Sequence, residues 1–372
     1  MKTEYKKLTK KFLTQGKVKA VEVGKKSLSQ LLYEMQNTGF QGRKLAEVAE
    51  VWQKMIEDKN ATIVMGYAGS LSTTGQWKII NWLMENRYVD MFVATGANLS
   101  EDIVDAMGHS YWKGHHMVDD SVLLDTDINR YYDVYGLETD YMDMTELIAD
   151  FYVKNLKPNQ PYSSREILYL FGQWLWKKGI KSNVATAAHY GIPVFCPAIV
   201  DSPYGDAGLI AQSQGFHLII DNMQDYREFM SCGEKIKDTA VIYIGGGVPK
   251  DFIQLLAVTA DLMYQERVIP GRKPTVWRAQ RDKKLLESYY PHKYAIQITT
   301  DSPQWGGLSG CTFEEATSWG KEQAGNPNVQ VYCDATIALP IVTHALAERI
   351  KKKRKAPNFS WLLKETLNGK SA

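Results

Sequence analysis

Ala61-Thr-Ile-Val-Met-Gly66-Tyr-Ala-Gly69-Ser70-Leu71-Ser72-Thr73 decides the reading of the fold. A short apolar, β-prone run ends at a glycine without polar alternation, and a Gly/Ser/Thr segment follows. Strands buried on both faces read this way, because helices cover both sides of a parallel sheet. An amphipathic helix over residues 77–84 comes next. A second run, Tyr88-Val-Asp-Met-Phe-Val-Ala94, then leads into Thr95-Gly96-Ala97-Asn98. Further strands are predicted at residues 192–199, 217–221, 240–244, 294–299 and 329–332, with helices between several of them, one over 164–177. This alternation gives an α/β fold, a Rossmann-like, doubly wound and mostly parallel sheet.

Upstream, Leu28, Leu31, Leu32 and Met35 recur at helical spacing. Gly39 and Gly42 break that stretch, and a second helix is expected over 45–56. Downstream of the second strand, Ser100 is a candidate N-cap opening a helix with Glu101 and Asp102. Residues 109–160 read as an insertion of Tyr-rich, charged sequence without strong period. The expected organisation is an N-terminal arm and helices over 1–58, a catalytic domain over 59–355, and a C-terminal tail over 356–372.

Composition narrows the function. Of 372 residues, 44% are hydrophobic and 23% charged, and the net charge is +2. That balance gives no support for nucleic-acid binding. Lysines cluster at residues 6–11 and 351–355, which read as solvated ends. The four cysteines contain no Cys-x-x-Cys pair, so no metal site is expected. His115-His116 reads as a surface pair, and Cys311 and Cys333 as packing residues. No apolar run approaches the roughly 18 residues of a membrane span, and the N-terminus lacks an apolar signal core, so a cytoplasmic protein is expected.

In open α/β sheets, ligands bind outside the carboxyl ends of the strands. Four predicted ends carry small or acidic residues: Gly69-Ser70-Leu71-Ser72-Thr73, Thr95-Gly96-Ala97, Gly245-Gly246-Gly247 and Asp334-Ala335. None is a Gly-x-Gly-x-x-Gly fingerprint or a Walker A loop. Each alone also fits a tight turn; together they suit a nucleotide or dinucleotide pocket. Near the C-terminus stands Glu314-Glu315-Ala316-Thr317-Ser318-Trp319-Gly320-Lys321. An indole face can cover an amine chain, carboxylates can hold an ammonium, and a desolvated lysine can act as a nucleophile. Read by itself, Lys321 better suits a surface helix, paired with its neighbours at i, i+4 spacing.

That octapeptide closely resembles the active-site segment of deoxyhypusine synthases. The resemblance runs from about residue 29 to about residue 350, with its segments in family order. They are Asn37-Thr-Gly-Phe-Gln41, Gly66-Tyr-Ala-Gly-Ser-Leu71, Val93-Ala-Thr-Gly96 with Glu101-Asp102, and Ile128-Asn-Arg130. Cys196-Pro-Ala-Ile-Val-Asp201 with Gly205-Asp206, Ile244-Gly-Gly-Gly247, the lysine segment and Val331-Tyr-Cys-Asp-Ala335 complete the set. The resemblance implies an NAD-dependent transfer of an aminobutyl group from spermidine, carried as an imine on the active-site lysine, with no net redox change. It implies Lys321 as that lysine, Trp319 over the polyamine chain, and Glu315 and Asp206 on ammonium groups. It implies Gly69, Ser70, Leu71, Thr73, Thr95, Gly96, Glu101, Asp201, Gly246, Thr300, Asp334 and Ala335 around NAD, and a homotetramer.

The chain departs from the family pattern on the amine side. After the glycine triplet it reads Val248-Pro249-Lys250-Asp251-Phe252, so Asp251 stands where the family has a histidine at the amine site. Leu255 stands for an asparagine, Leu308 for an acidic residue that clamps the polyamine, and Gly69-Ser70 for Ser-Asn. One acid is lost and another gained, which points to a changed amine pair with a small diamine such as putrescine as acceptor. The alternatives are true deoxyhypusine synthesis on a lysine of the hypusine-bearing translation factor, and a non-catalytic NAD- or polyamine-binding protein.

Overall fold

The computed structural model describes residues 12–14, 16–236, 238–259, 291–355 and 357–363. Six strands make the central sheet: β1 (Ala61–Tyr67), β2 (Met91–Ala94), β3 (Val194–Phe195), β4 (Asp238–Ile244), β5 (Tyr294–Thr299) and β6 (Asn328–Tyr332). All five pairings are parallel, and the spatial order is β3-β2-β1-β4-β5-β6. The order reverses between β1 and β4, which is the switch point of a doubly wound sheet. In β1 every residue is buried, but the two faces serve different layers. Ile63 and Met65 pack into one apolar cluster and Val64 into the other. The unbroken apolar run therefore records two covered faces.

Around the sheet lie α1 (Leu28–Met35), α2 (Phe40–Glu57), α3 (Trp77–Glu85), α4 (Gly96–Ala106), α5 (Glu138–Asn155), α6 (Ser164–Lys177), α7 (Asn183–Tyr190) and α8 (Pro203–Ser213). They are followed by α9 (Asn222–Lys235), α10 (Gly247–Thr259), α11 (Phe313–Ser318) and α12 (Ala335–Arg349). Helix α2 packs on β1, β5 and β6, while α10 packs on β1, β2 and β4. Capping fixes several starts. Ser27 and Ser163 each close a capping box, with Gln30 and Glu166 respectively.

Several expectations need correction. Helix α2 begins at Phe40, not near 45, so Gly42 lies inside its first turn and breaks nothing. Helix α4 begins at Gly96; Ser100 is interior and its hydroxyl donates back to the Gly96 carbonyl at 3.0 Å instead of capping. The strand expected at 192–199 shortens to β3. The one expected at 217–221 is Ile219–Ile220, paired with Pro161–Tyr162 away from the main sheet. Residues 109–160 are ordered: three short antiparallel strands (Trp112–Lys113, Ile128–Tyr131, Val134–Leu137) precede the 18-residue α5. Met144, Ile148, Phe151 and Tyr152 form the buried stripe of α5, a helical spacing masked by the acidic and tyrosine residues among them.

The C-terminal basic run is not wholly solvated. Arg354 makes an ion pair with the fully buried Asp90, which also accepts from the Ile63 amide at 2.8 Å. Beyond it, Phe359 and Leu362 are buried in the apolar layer under α10, so this part of the tail packs on the sheet. The basic run at 6–11 lies outside the described residues. No helix among the described residues is long and apolar enough to cross a membrane.

Candidate active site

The switch point puts the turns after β1 and β4 side by side. Gly69 (φ +84°) turns the first, and Gly245 (φ +72°) and Gly247 (φ +57°) turn the second, all in the left-handed region that favours glycine. Asn98 stitches the β1 turn to α4: its Oδ1 accepts from the Leu71 amide at 2.8 Å, and its Nδ2 donates to the Tyr67 carbonyl at 3.3 Å. Thr95 Oγ1 donates to the Gly69 carbonyl at 2.7 Å, and Thr73 Oγ1 to the Ser70 carbonyl at 3.1 Å. Ser70 donates to Glu101 Oε2 at 2.6 Å. Burial pushes the Glu101 carboxyl up to about 7, against that hydrogen bond.

Two glycines allow close approach. A Cβ on Gly96 would sit 2.2 Å from Ser202 Oγ, and one on Gly246 would sit 2.3 Å from Ser309 Cα. Asp201 and Thr300 are exposed on the segments after β3 and β5. Asp334 caps α12, accepting from the Thr336 amide at 2.7 Å, and Ala335 opens that helix. All the residues expected around a dinucleotide thus follow the carboxyl ends of the six strands. The start of α4 has no hydrogen bond from its N-cap side chain, and uncapped first-turn N–H groups suit an anion. This donor set suits a dinucleotide: glycine turns for close approach, a helix start for phosphate, carboxylates for ribose hydroxyls.

The lysine is presented by the end of α11. Thr312 caps that helix, its Oγ1 accepting from the Glu315 amide at 3.1 Å. Gly320 (φ +80°) then ends it: its amide donates to Thr317 O at 3.0 Å and that of Lys321 to Ala316 O at 3.0 Å. These two bonds make a Schellman motif, which requires the left-handed glycine between Trp319 and Lys321. Lys321 Nζ, on a mostly buried side chain, donates to Asp251 Oδ1 at 2.6 Å and stands 5.8 Å from the half-exposed Trp319 ring. Asp251 lies at the start of the second turn of α10, four residues after Gly247. Lys321, Trp319 and Asp251 are therefore brought together. Glu315 and Asp206 are exposed, and among the described residues no hydrogen bond or ion pair joins either to Lys321. Asp206 lies in the first turn of α8, near Tyr141, whose hydroxyl is pushed up to about 12 by burial first and then by Asp206.

The family model for deoxyhypusine synthase matches residues 30–346. The chain belongs to the deoxyhypusine synthase family. It is similar to "Probable deoxyhypusine synthase 2" of Methanosarcina mazei, 41% identical over 344 residues that span 92% of this chain and 93% of that one. "Deoxyhypusine synthase-like protein" of Chlorobaculum tepidum is 33% identical over 353 residues, 93% of this chain and 94% of the relative. The solved structure "Crystal Structure of a putative deoxyhypusine synthase from Entamoeba histolytica" shares the fold, with a TM-score of 0.58 at 18% identity, covering 90% of this chain and 100% of that one.

Against the deoxyhypusine synthase family pattern, Asp251 and Leu255 depart on α10, and Gly69-Ser70 departs on the turn after β1. Asp251 touches the lysine itself, while Leu255, on the same helix α10, is partly buried against the apolar layer beneath that helix. Sequence reasoning missed the layer beneath. Tyr243, Gln297 and Gln330 lie in register across β4, β5 and β6, on one face of the sheet. Lys250 is fully buried over them, donating to Gln297 Oε1 at 2.8 Å and to the Cys311 carbonyl at 2.6 Å. Burial lowers its ammonium to about 8. Glu322, next to Lys321 in the chain, is buried with no hydrogen-bond partner on either oxygen among the described residues, and burial raises its carboxyl well above the usual range. The available signal was Gln297 and Gln330 inside otherwise apolar strands.

Elsewhere, His115 and His116 are exposed and stacked, 5.0 Å between ring centroids. His109, not they, meets carboxylates, at 3.1 Å from Asp140 and 3.5 Å from Asp143.

Proposed function

We propose that this chain transfers an aminobutyl group from spermidine, or a related polyamine, to an amine acceptor through an imine on Lys321. The observation that carries the reading is the placement of Lys321 Nζ: mostly buried, 2.6 Å from a carboxylate and 5.8 Å from an indole face. An enclosed cation partner and an aromatic wall suit an alkylamine. NAD, when bound, supplies reversible hydride acceptance, so an amine-bearing carbon can reach the imine level and return. Gly69, Ser70, Leu71, Thr73, Thr95, Gly96, Glu101, Asp201, Gly246, Thr300, Asp334 and Ala335 would hold it.

The chain's own work is to bind, orient and exchange. Neutral Lys321 attacks the imine carbon of the donor, forming a C–N bond as the remaining diamine leaves. The acceptor amine attacks the resulting lysine imine and releases Lys321. Trp319 covers the chain, while Asp206, Asp251 and Glu315 provide carboxylates for ammonium groups. With Leu308 in place of the family's clamping acid and Asp251 added, the acceptor is a small diamine such as putrescine, giving a homospermidine-type product.

Incubating the protein with NAD, spermidine and putrescine and resolving the amines by chromatography tests this. No aminobutylated amine would remove the proposed acceptor. Labelled spermidine with the hypusine-bearing translation factor separates the runner-up, true deoxyhypusine synthesis, since that alone puts label on protein. A non-catalytic binder would keep its affinity for NAD in Lys321→Ala and show no turnover in either form. The family resemblance also supports a homotetramer, which light scattering on the purified chain would check.

A further inference from the structure

Two charged dipeptides face each other across the site: Lys250-Asp251 lies in the N-terminal part of α10, and Lys321-Glu322 follows α11. The outer pair, Asp251 and Lys321, is made at 2.6 Å. The inner pair is not: buried Lys250 is held by an amide oxygen and a backbone carbonyl, and buried Glu322 has no hydrogen-bond partner among the described residues. The resting lysine is therefore an ammonium clasped by Asp251, whereas the chemistry proposed for it needs a neutral amine. A device must convert one into the other when substrate arrives.

We infer that Asp251 is an exchange partner: an incoming substrate ammonium takes its carboxylate from Lys321, and Lys321 sheds a proton. The balance is simple. A carboxylate paired with lysine ammonium, plus a substrate ammonium, becomes the same carboxylate paired with substrate, a neutral lysine amine and one proton released to solvent. No electron moves and no covalent bond to carbon changes. This rests on the aminobutyl-transfer reading only in taking a polyamine as the ligand.

The surroundings favour this direction. Once Asp251 is taken, the half-exposed Trp319 ring 5.8 Å away is left to attract the ammonium, and the other neighbours do not hold one. Lys250 comes from α10, where its cation repels Lys321 through the shared interior. Cys311 precedes α11 as a thiol raised by burial, and Glu315 on α11 is exposed to water. His292, bridged to Glu322 in backbone pairing, is kept neutral by burial first and then by the charge of Lys321, its ring value falling to about 3. Glu322 is held as the neutral acid by its burial. A second cation near a desolvated lysine is a general way to free the amine. The arrangement also protects the nucleophile: without substrate it stays protonated and unreactive toward stray carbonyls.

Calorimetric titration of the NAD-loaded full chain with spermidine and with putrescine, at pH 7 in phosphate and in Tris, reads the linked protons from the difference in heat. Wild type should release about one proton per amine bound. Lys321→Met should bind at least as tightly and release none, because the competitor for Asp251 is gone. Lys321→Arg should also release none but bind more weakly, because guanidinium keeps its proton and its partner. Wild-type binding without proton release overturns the exchange and leaves the aminobutyl reading standing. Equal release from Lys321→Met overturns it as well. Failure of wild type to bind either amine overturns both.

Discussion

Gly246→Ala probes whether the glycine triplet is there for the protein's own packing. The added Cβ would stand 2.3 Å from Ser309 Cα, 2.6 Å from its Cβ and 3.0 Å from its amide nitrogen. Ordinary contact begins near 3.4 Å, so backbone must move by about 1 Å. Overpacking of this kind costs roughly 1–3 kcal/mol. The strain falls on the segment that ties Ser309 Oγ to Asp301 Oδ2 at 2.9 Å and carries Thr300 into the candidate cofactor crevice. Gly69→Ala is the control. Its Cβ would meet nothing within 4 Å, but its φ of +84° costs an L-residue roughly 1–2 kcal/mol. Urea unfolding should show both losses. Hydrogen exchange should separate them: peptides over 300–312 should exchange faster in Gly246→Ala and unchanged in Gly69→Ala. Wild-type stability and exchange in Gly246→Ala would refute the argument that backbone contact dictates this glycine.

Further outcomes follow from other parts of the structure. Arg354→Met strips the buried Asp90 of its cation and should cost about 3–5 kcal/mol in urea unfolding, whereas a fully solvated tail would lose almost nothing. Asp251→Asn should raise the KM for a diamine acceptor roughly tenfold to a hundredfold, the worth of a charge-assisted hydrogen bond, and an unchanged KM would show that this carboxylate does not meet the amine. Stability should fall as pH rises from 6.5 to 8. Glu101, Asp102 and Asp225 are each pushed up to about 7 by burial, so they bind more protons folded than unfolded in that window. Their contribution is fully present below the unfolded value near 4 and is lost as pH passes about 7; a urea midpoint that rises across the window would contradict this.

The sheet was legible because its strands are buried on both faces. Ala61-Thr-Ile-Val-Met-Gly66 and 294–299 lack the alternation that a half-exposed strand or an amphipathic helix would show. The strand order could not be read from any one segment, because it depends on which side of β1 the later strands join. Local chemistry misled at Gly42, which tolerates the first turn of a helix, and at Ser100, which satisfies its hydroxyl inside one. The loops of the candidate site were legible through their small residues. The meeting of Asp251 with Lys321 was not, since 70 residues separate them and nothing local to either announces it. Lys250 and Glu322 were hidden for a related reason: charges in a sequence read as surface, and only the packed layer beneath shows them buried.

Borohydride trapping tests the central claim most directly. The protein is incubated with NAD and spermidine, reduced, digested, and its peptides are mapped by mass spectrometry. An aminobutyl adduct on Lys321, absent when NAD is omitted and absent in Lys321→Ala, is the predicted result. An adduct confined to other lysines, or none at all from a protein that binds both ligands, would contradict the account.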